Sequence, residues 1–190
     1  NTYADYKANR EIKRITNYQV FSTLDEESES IATQMMRLLD YLKCLPINIS
    51  IIDKIEADDT IAYLSNKLKD EVIIYSADQD FLQLVNNKVT VFSPIKKKFF
   101  KPQDVFDQYG LYPHNFITMK CLMGDKSDNL PGVKGLGPKK LMKFFPEIAG
   151  KEKFTLQEAY QKASDKVDEH GIYGNVHLFK KQLEINYELM

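Results

Sequence analysis

Cysteine, histidine and long apolar stretches are scarce in this chain, and their scarcity excludes several classes of protein. The chain has two cysteines, Cys44 and Cys121, which are too few for a disulfide framework. We therefore predict that both are buried free thiols of an intracellular protein. The three histidines, at positions 114, 170 and 177, lack the spacing of a zinc site. No apolar run approaches the length of a membrane span, so we expect no membrane partner. Because cysteines and histidines are so few, we expect any metal ion to be held by oxygen ligands.

The chain also lacks an excess of charge of either sign. Its 26 basic and 27 acidic residues give a formal net charge of -1, so a nucleic-acid partner has to be argued from local clusters. The length of 190 residues predicts a single compact unit. Because the chain begins at Asn1 and ends in the middle of a helical pattern, we expect it to be a piece of a longer protein.

Hydrophobic periodicity predicts an α/β architecture. A helix is expected at about 29–42, after the acidic stretch DEESES, and a β-rich run follows at 47–52. The run EVIIYS at 71–76 predicts a buried parallel strand, and KVTVFSP predicts another strand. From Pro102 onward the pattern is helical, ending with one helix in NVHLFKKQLEINYEL.

Carboxylates are clustered at three joins between these elements. The clusters are Glu56, Asp58 and Asp59 in EADD, Asp78 and Asp80 in SADQD, and Asp125 and Asp128 in GDKSDN. The last two acids, three positions apart, are expected to share one face of a helical turn. Acids that converge repel one another unless cations neutralise them, and Mg²⁺ prefers oxygen ligands. Two such ions about 4 Å apart can clamp a phosphodiester during hydrolysis.

Each cluster also has a structural interpretation. EADD alone is typical of an acidic helix N-terminus, and SADQD alone is typical of a capping turn. The stretch GDKSDNLPGVKGLG differs, because a turn does not need two spaced acids and three spaced glycines. It therefore favours a functional site.

A glycine-rich turn with lysines follows the last acids. Gly132, Gly135 and Gly137 allow positive φ or close approach to a ligand, and Pro138 fits the first position of a helix. Lysines surround this turn, at positions 134, 139, 140 and 143, and could hold a nucleic-acid backbone. A solvated basic helix after a plain turn is the alternative. The run IKKKFFK predicts an exposed hairpin or strand edge.

The motifs YKANR (6–10), EADD (56–59), SADQD (76–80) and GDKSDNLPGVKGLG (124–137) together resemble the 5′-nuclease family. This family contains bacteriophage 5′-3′ exonucleases, flap endonucleases and the 5′-nuclease domains of bacterial repair polymerases. The resemblance covers nearly the whole chain. It implies a PIN-like α/β core with a parallel-type sheet, a helical arch and a helix-three-turn-helix DNA-binding element. Residues 1–190 would form one domain, with the core and arch in 1–100 and the helical part in 101–190.

The resemblance also implies roles for individual residues. It assigns two or more Mg²⁺ or Mn²⁺ ions to the seven acids of the three clusters, and K⁺ to the turn Gly132–Gly137. It places Lys7 and Arg10 at the scissile phosphate. The implied DNA-binding residues are Tyr6, Lys134, Gly135, Gly137, Lys139 and Lys140. The implied protein is a monomer in the cytoplasm of a bacterium or phage-infected bacterium, acting on DNA with 5′ ends or flaps and on RNA–DNA hybrids.

The chain departs from the family pattern at its start. Family members begin with a strand that carries a metal-ligating Asp and then a second acid, and neither precedes YKANR here. We therefore expect an unpaired sheet edge and weak activity of this stretch alone. Two other interpretations are a non-catalytic DNA-binding relative and an acidic α/β domain for a small molecule; the second leaves the lysine-flanked turn unexplained.

Overall fold

The computed structural model describes residues 6, 7 and 15–190. In this part of the chain, eight α-helices accompany one small mixed sheet. None of the helices in these residues is both long and apolar enough to cross a membrane.

The first helix, α1, is Leu24–Lys43 and begins before the predicted start at residue 29. Thr23 and Glu26 form a capping box, in which each side chain accepts a hydrogen bond from the other residue's backbone N–H. Acidic side chains in the first turn also interact favourably with the positive end of the helix dipole. The stretch DEESES therefore belongs to the helix instead of leading into it.

The segment between α1 and the second helix is irregular and exposed. The run predicted to be β-rich, 47–52, forms no strand, and Ile51 is 75% exposed. Cys44, predicted to be buried, is exposed, because the end of α1 packs against nothing that covers it in the described residues. Cys121 is buried as expected. The second helix, α2, is Ala57–Lys67.

The three strands are β1 (Val72–Tyr75), β2 (Val89–Ser93) and β3 (Lys98–Phe100), and their order in the sheet is β1-β2-β3. Strand β1 pairs parallel with β2, with Val72 opposite Val89, and β3 pairs antiparallel with β2. The prediction of a strand in EVIIYS is confirmed, and so is the hairpin in IKKKFFK. The prediction that β1 is buried is wrong, because Ile73 and Tyr75 on one of its faces are 63% and 71% exposed.

The helices that follow are α3 (Pro102–Tyr109), α4 (Phe116–Met123), α5 (Pro138–Phe144), α6 (Leu156–Asp165), α7 (Gly171–Leu178) and α8 (Lys180–Leu189). The single helix predicted in NVHLFKKQLEINYEL is two helices, since the backbone of Phe179 leaves helical geometry between α7 and α8.

Two hydrophobic cores lie side by side. One packs the sheet against α3 and the start of α4, and the other packs α4 to α8 around Phe145 and Ile148. Met119 and Met142 contact both cores. Helix α4 therefore joins the two cores.

Candidate active site

One wall of the candidate site is the turn that leaves strand β1. The Oγ of Ser76 accepts a hydrogen bond from the N–H of Asp78 at 3.1 Å, and Asp78 Oδ1 accepts one from the N–H of Asp80 at 2.9 Å. A short 3₁₀ helix, Asp80–Leu84, starts at this point. The side chain of Asp78 thus stabilises the turn, whereas the N-cap of the 3₁₀ helix is Gln79, which makes no side-chain capping hydrogen bond. The turn sets both acids at the carboxyl end of the sheet.

The opposite wall is the end of helix α4 and the loop after it. Asp125 and Leu130 exchange backbone hydrogen bonds of 2.9 and 2.7 Å in a tight antiparallel bridge. Asp125 and Asp128 therefore lie in a turn, and the prediction that they share a helical turn is wrong. The helix cannot continue here because Gly124 adopts a positive φ of 74° and Gly132 packs against the backbone of Met123.

These two walls enclose a cavity of about 450 Å³. Its charged lining consists of Asp78, Asp80, Asp125 and Lys120, with Gln79 and Tyr109 beside them. Lys120 Nζ lies 2.5 Å from Asp80 Oδ1 and 3.0 Å from Asp125 Oδ2. One lysine thus connects the acidic cluster after β1 with the acidic cluster after α4.

Lys120 was missed by the sequence analysis. It lies in FITMKCLM, a stretch that is otherwise apolar apart from Thr118, and the signal that could have found it is a lone charge within a buried helix. The side chain is only 17% exposed. A lysine in such a position needs an anionic partner, which the acids on either side provide.

The electrostatics of the cavity keep these groups ionised. Burial by itself lowers the pKa of Lys120, but hydrogen bonds and charge interactions with Asp80 and Asp125 outweigh it and raise that pKa. Burial opposes ionisation of Asp125 too, yet hydrogen bonds from Ser127 and Lys120 lower its pKa to about 2. Both groups are charged at neutral pH. The neighbouring thiol of Cys121 has its pKa raised to about 12 by burial, so it is not a nucleophile.

Lys7 connects the third acidic cluster to the loop after α4. Its Nζ lies 2.5 Å from Glu56 Oε2, just before α2, and its backbone N–H donates to the carbonyl of Asp128 at 3.0 Å. Burial opposes the charge of Lys7, but hydrogen bonds with Glu56 and Tyr6 raise its pKa. The Tyr6 hydroxyl donates to the carbonyl of Leu189 at 3.4 Å. The chain thus holds Lys7 beside acid-bearing segments that are remote in sequence.

The remaining acids are less constrained. Asp58 and Asp59 are exposed in the first turn of α2 and do not line the cavity. Within the described residues, no three acidic, histidine or cysteine side chains are arranged closely enough to hold a metal ion. Arg10, predicted to face the scissile phosphate, lies outside the described residues. The structure therefore brings together Asp78, Asp80 and Asp125 and leaves the EADD acids apart from them.

The glycines of the lysine-flanked turn serve different purposes. Gly135 has a positive φ of 78°, as predicted for a turn. Gly132 packs against the protein's own backbone, and an added Cβ there would meet the carbonyl of Met123. A Cβ on Gly137 would meet nothing within 4 Å, so the space before α5 is open. The lysines at 134, 139 and 140 are exposed around this space, and Asn175 fastens the turn by donating to the carbonyl of Lys134 at 2.9 Å.

The chain is similar in sequence to proteins of one family. Residues 1–110 match the family model described as the 5′-3′ exonuclease, N-terminal resolvase-like domain. The chain is 29% identical to a 5′-3′ exonuclease of Aquifex aeolicus over 191 residues, covering 98% of this chain and 61% of the relative. It is 36% identical to DNA polymerase I of Bacillus subtilis over 172 residues, covering 87% of this chain and 18% of the relative. The chain thus spans less than two thirds of these relatives.

Solved structures give the same fold. A bacteriophage T5 5′-exonuclease with bound zinc matches with a TM-score of 0.71 at 25% identity, covering 99% of this chain and 67% of that one. The T5 flap endonuclease in a complex with DNA and metal ions matches with the same TM-score of 0.71 at 24% identity and the same coverage. The described α/β architecture is therefore that of the T5 enzyme.

Proposed function

Because this chain belongs to the 5′-3′ exonuclease family, we propose that it is a divalent-metal-dependent nuclease that hydrolyses phosphodiesters at 5′ ends and 5′ flaps of DNA. The observation that carries the proposal is the cavity lined by Asp78, Asp80 and Asp125, in which the Lys120 ammonium pairs with Asp80 and Asp125. The T5 structures solved with DNA and with metal ions support the same assignment.

The residues of the cavity fit a hard divalent cation such as Mg²⁺ or Mn²⁺. Every anionic group in it is a carboxylate, the ligand type that these ions prefer. The Lys120 ammonium is a stand-in cation between Asp80 and Asp125. We assign Asp78, Asp80 and Asp125 as ligands, together with the acids at positions 56, 58, 59 and 128. When bound, two or more such ions activate water and offset the charge of the phosphodiester.

The basic residues at the start of the chain are assigned to the scissile phosphate. Lys7 is held by Glu56 and by the carbonyl of Asp128, so its ammonium lies next to proposed ligands. A cation in this place can orient a phosphate and stabilise charge that develops during hydrolysis. Arg10 is assigned the same task on the basis of the YKANR motif.

The DNA duplex is assigned to the turn between α4 and α5, as a helix-three-turn-helix element. Exposed lysines at 134, 139 and 140 and the open space before Gly137 support contact with a phosphate backbone. We include Tyr6 and Gly135 in the DNA-binding set, and K⁺ at Gly132–Gly137. We also propose that residues 1–100 form a PIN-like core with an arch and that residues 101–190 form the helical part. The proposed protein is a monomer of the bacterial cytoplasm that also acts on RNA–DNA hybrids.

One observation favours a second candidate, a non-catalytic DNA-binding relative. In the described residues no three acids are close enough to share a metal, and the EADD acids lie apart from the cavity. In this second case the lysine turn binds duplex DNA and the carboxylates serve only to fix Lys7 and Lys120.

Cleavage of labelled DNA distinguishes the two candidates. The full chain is mixed with a 5′-flap duplex, a blunt duplex and single strands, in Mg²⁺, in Mn²⁺ and in excess EDTA. We expect cleavage near the flap junction or stepwise from the 5′ end that requires the metal. Binding of duplex without cleavage in either metal favours the second candidate, and cleavage that persists in EDTA refutes metal dependence.

A further inference from the structure

Lys120 is the basic residue that lines the acidic cavity, and neither the sequence motifs nor the family assignment gives it a role. We propose that Lys120 is a resident counter-ion. In the metal-free protein its ammonium pairs with Asp80 and Asp125 and offsets one of their two negative charges, and a divalent cation binds these carboxylates in competition with it. This inference rests on the metal site proposed above.

The geometry joins parts of the chain that are far apart in sequence. Lys120 lies on α4, 40 positions from Asp80, and contacts Asp80 and Asp125 at 2.5 and 3.0 Å. Asp125 is 15% exposed and the lysine 17% exposed, so water screens this pair weakly, whereas Asp80 is 40% exposed and its pair with Lys120 is screened more. The ammonium therefore occupies the position between the two carboxylates that a shared cation also requires.

The surroundings of Lys120 explain why a neutral side chain in its place is expected to destabilise the protein. Phe116 and Met119 form the apolar lining of the same cavity, and Cys121 next to Lys120 is fully buried. Two carboxylates in such surroundings repel each other unless a positive charge lies between them. Removal of the lysine charge therefore destabilises the metal-free protein and leaves the carboxylates available to an external cation.

Competition follows from the sign of the charges. A divalent ion that binds Asp80 and Asp125 is repelled by an ammonium within a few ångströms of the same oxygens. The lysine side chain has four methylene groups and can turn away, but it then loses both ion pairs. The free energy of metal binding is therefore less favourable by the free energy of the two ion pairs that Lys120 loses.

The test measures metal binding without DNA, so it does not depend on catalysis. Mn²⁺ is titrated into the full chain by isothermal titration calorimetry, and melting temperature is measured in EDTA and in Mn²⁺. The variants are Lys120→Met, Lys120→Gln and Lys120→Arg. The matched control is Lys162→Met, because Lys162 is 20% exposed and pairs with Glu147 at 2.6 Å on a different surface.

For Lys120→Met and Lys120→Gln we expect Mn²⁺ to bind roughly tenfold more tightly, a melting temperature that falls in EDTA, and a larger increase on addition of Mn²⁺. Lys120→Arg and Lys162→Met should keep the Mn²⁺ affinity of the native protein. The glutamine variant keeps a polar side chain, so the comparison survives if the methionine variant does not fold.

Unchanged or weaker Mn²⁺ binding in the neutral variants overturns the inference, since Lys120 then positions the carboxylates for the metal instead of opposing it. Tighter binding in Lys162→Met as well also overturns it, because the effect then comes from net charge. If neither the native chain nor the neutral variants bind Mn²⁺, the proposed metal site is rejected and the inference with it. If the native chain binds Mn²⁺ and the neutral variants bind it with the same affinity, only the inference about Lys120 is rejected and the metal site stands.

Discussion

Residues 15–71 and residues 72–190 use apolar side chains in opposite ways. All of the buried hydrophobic residues among the described ones lie in the second region, starting at Ile74. In the first region only Glu27 and Ser65 are buried, and α1 exposes a stripe of large apolar side chains. The stripe consists of Ile31, Met35, Leu38 and Tyr41, and Met36 is exposed on another face of the helix.

Periodicity alone does not account for this difference. Helix α1 and helix α6 both begin at a Thr capping box and both carry apolar residues at helical spacing. Helix α6 buries Ala159 and Ala163 against α7 and the core, whereas no element in the described residues covers the stripe on α1. The pattern therefore predicts a helix in both places, and only the presence of a packing partner predicts burial.

The acids divide along the same boundary. Asp78 and Asp125, in the second region, accept hydrogen bonds from backbone N–H groups at 2.9 and 2.8 Å and line one cavity. Asp58 and Asp59, in the first region, lie exposed at the start of α2. The densely packed region thus contains the preformed half of the candidate site, and the following predictions test this contrast.

The largest expected effect is on stability, from Phe145→Ala. Phe145 is fully buried in the helical core and packs against Phe154 and Tyr173. Truncation removes apolar contacts and leaves a cavity, so the free energy of unfolding should fall by about 3–5 kcal/mol. Urea unfolding followed by circular dichroism measures it. A loss below about 1 kcal/mol, typical of surface changes, would contradict the assignment of the core.

The next effect is on chemistry, from Asp80→Asn. The substitution keeps the shape of the side chain and removes one negative charge from the proposed metal site. We expect cleavage of 5′-flap DNA to fall by about 100-fold or more, with duplex binding retained. Asp165→Asn, on an exposed end of α6, is the control and should cleave normally. Parallel loss of binding and cleavage would point to misfolding.

A smaller effect is expected on DNA affinity, from Lys139→Ala combined with Lys140→Ala. If both lysines contact phosphates, the slope of log affinity against log salt should become shallower by about 1 to 2. Fluorescence anisotropy with duplexes of two unrelated sequences measures it, and both should weaken equally. Lys181→Ala, exposed on α8, is the control. An unchanged salt slope would indicate that the lysines of this turn are a solvated surface that does not contact DNA phosphates.

The effect of acid is smaller still and concerns Asp125. Its pKa is lowered from 3.8 to about 2 in the folded protein, so it contributes stability above pH 4 that is lost as pH falls toward 2. Asp125→Asn lacks this contribution. The native protein should therefore exceed the variant in stability by a constant amount between pH 7 and 5 and by less at pH 3. A gap in urea midpoint that widens on acidification would refute the direction of the shift.

The smallest effect is expected from Leu38→Ala on α1. Leu38 is 47% exposed, so truncation removes few contacts and should change the free energy of unfolding by less than about 0.5 kcal/mol. Urea unfolding measures this as well. A loss comparable to that of Phe145→Ala would mean that the stripe on α1 is covered in solution, and the contrast between the two regions would then fail.

Much of the described architecture could be predicted from local pattern. The strands β1 and β2, the hairpin to β3 and the helical character from Pro102 onward follow from periodicity and turn residues, whereas the break between α7 and α8 does not. The joins that carry Asp78, Asp80 and Asp125 could be located as well, because strand ends and glycine turns are marked by nearby residues. These features depend on contacts between residues close in sequence, which a linear pattern records.

The remainder depended on contacts between distant segments. The exposure of Cys44 and of the stripe on α1 depends on what packs there, and the turn at Asp125 depends on the close approach of Gly124 and Gly132. Lys120 is the clearest case. Nothing within FITMKCLM indicates that its ammonium meets Asp80, 40 positions away, and only the packing of α4 between two cores brings the lysine and both acids into one cavity.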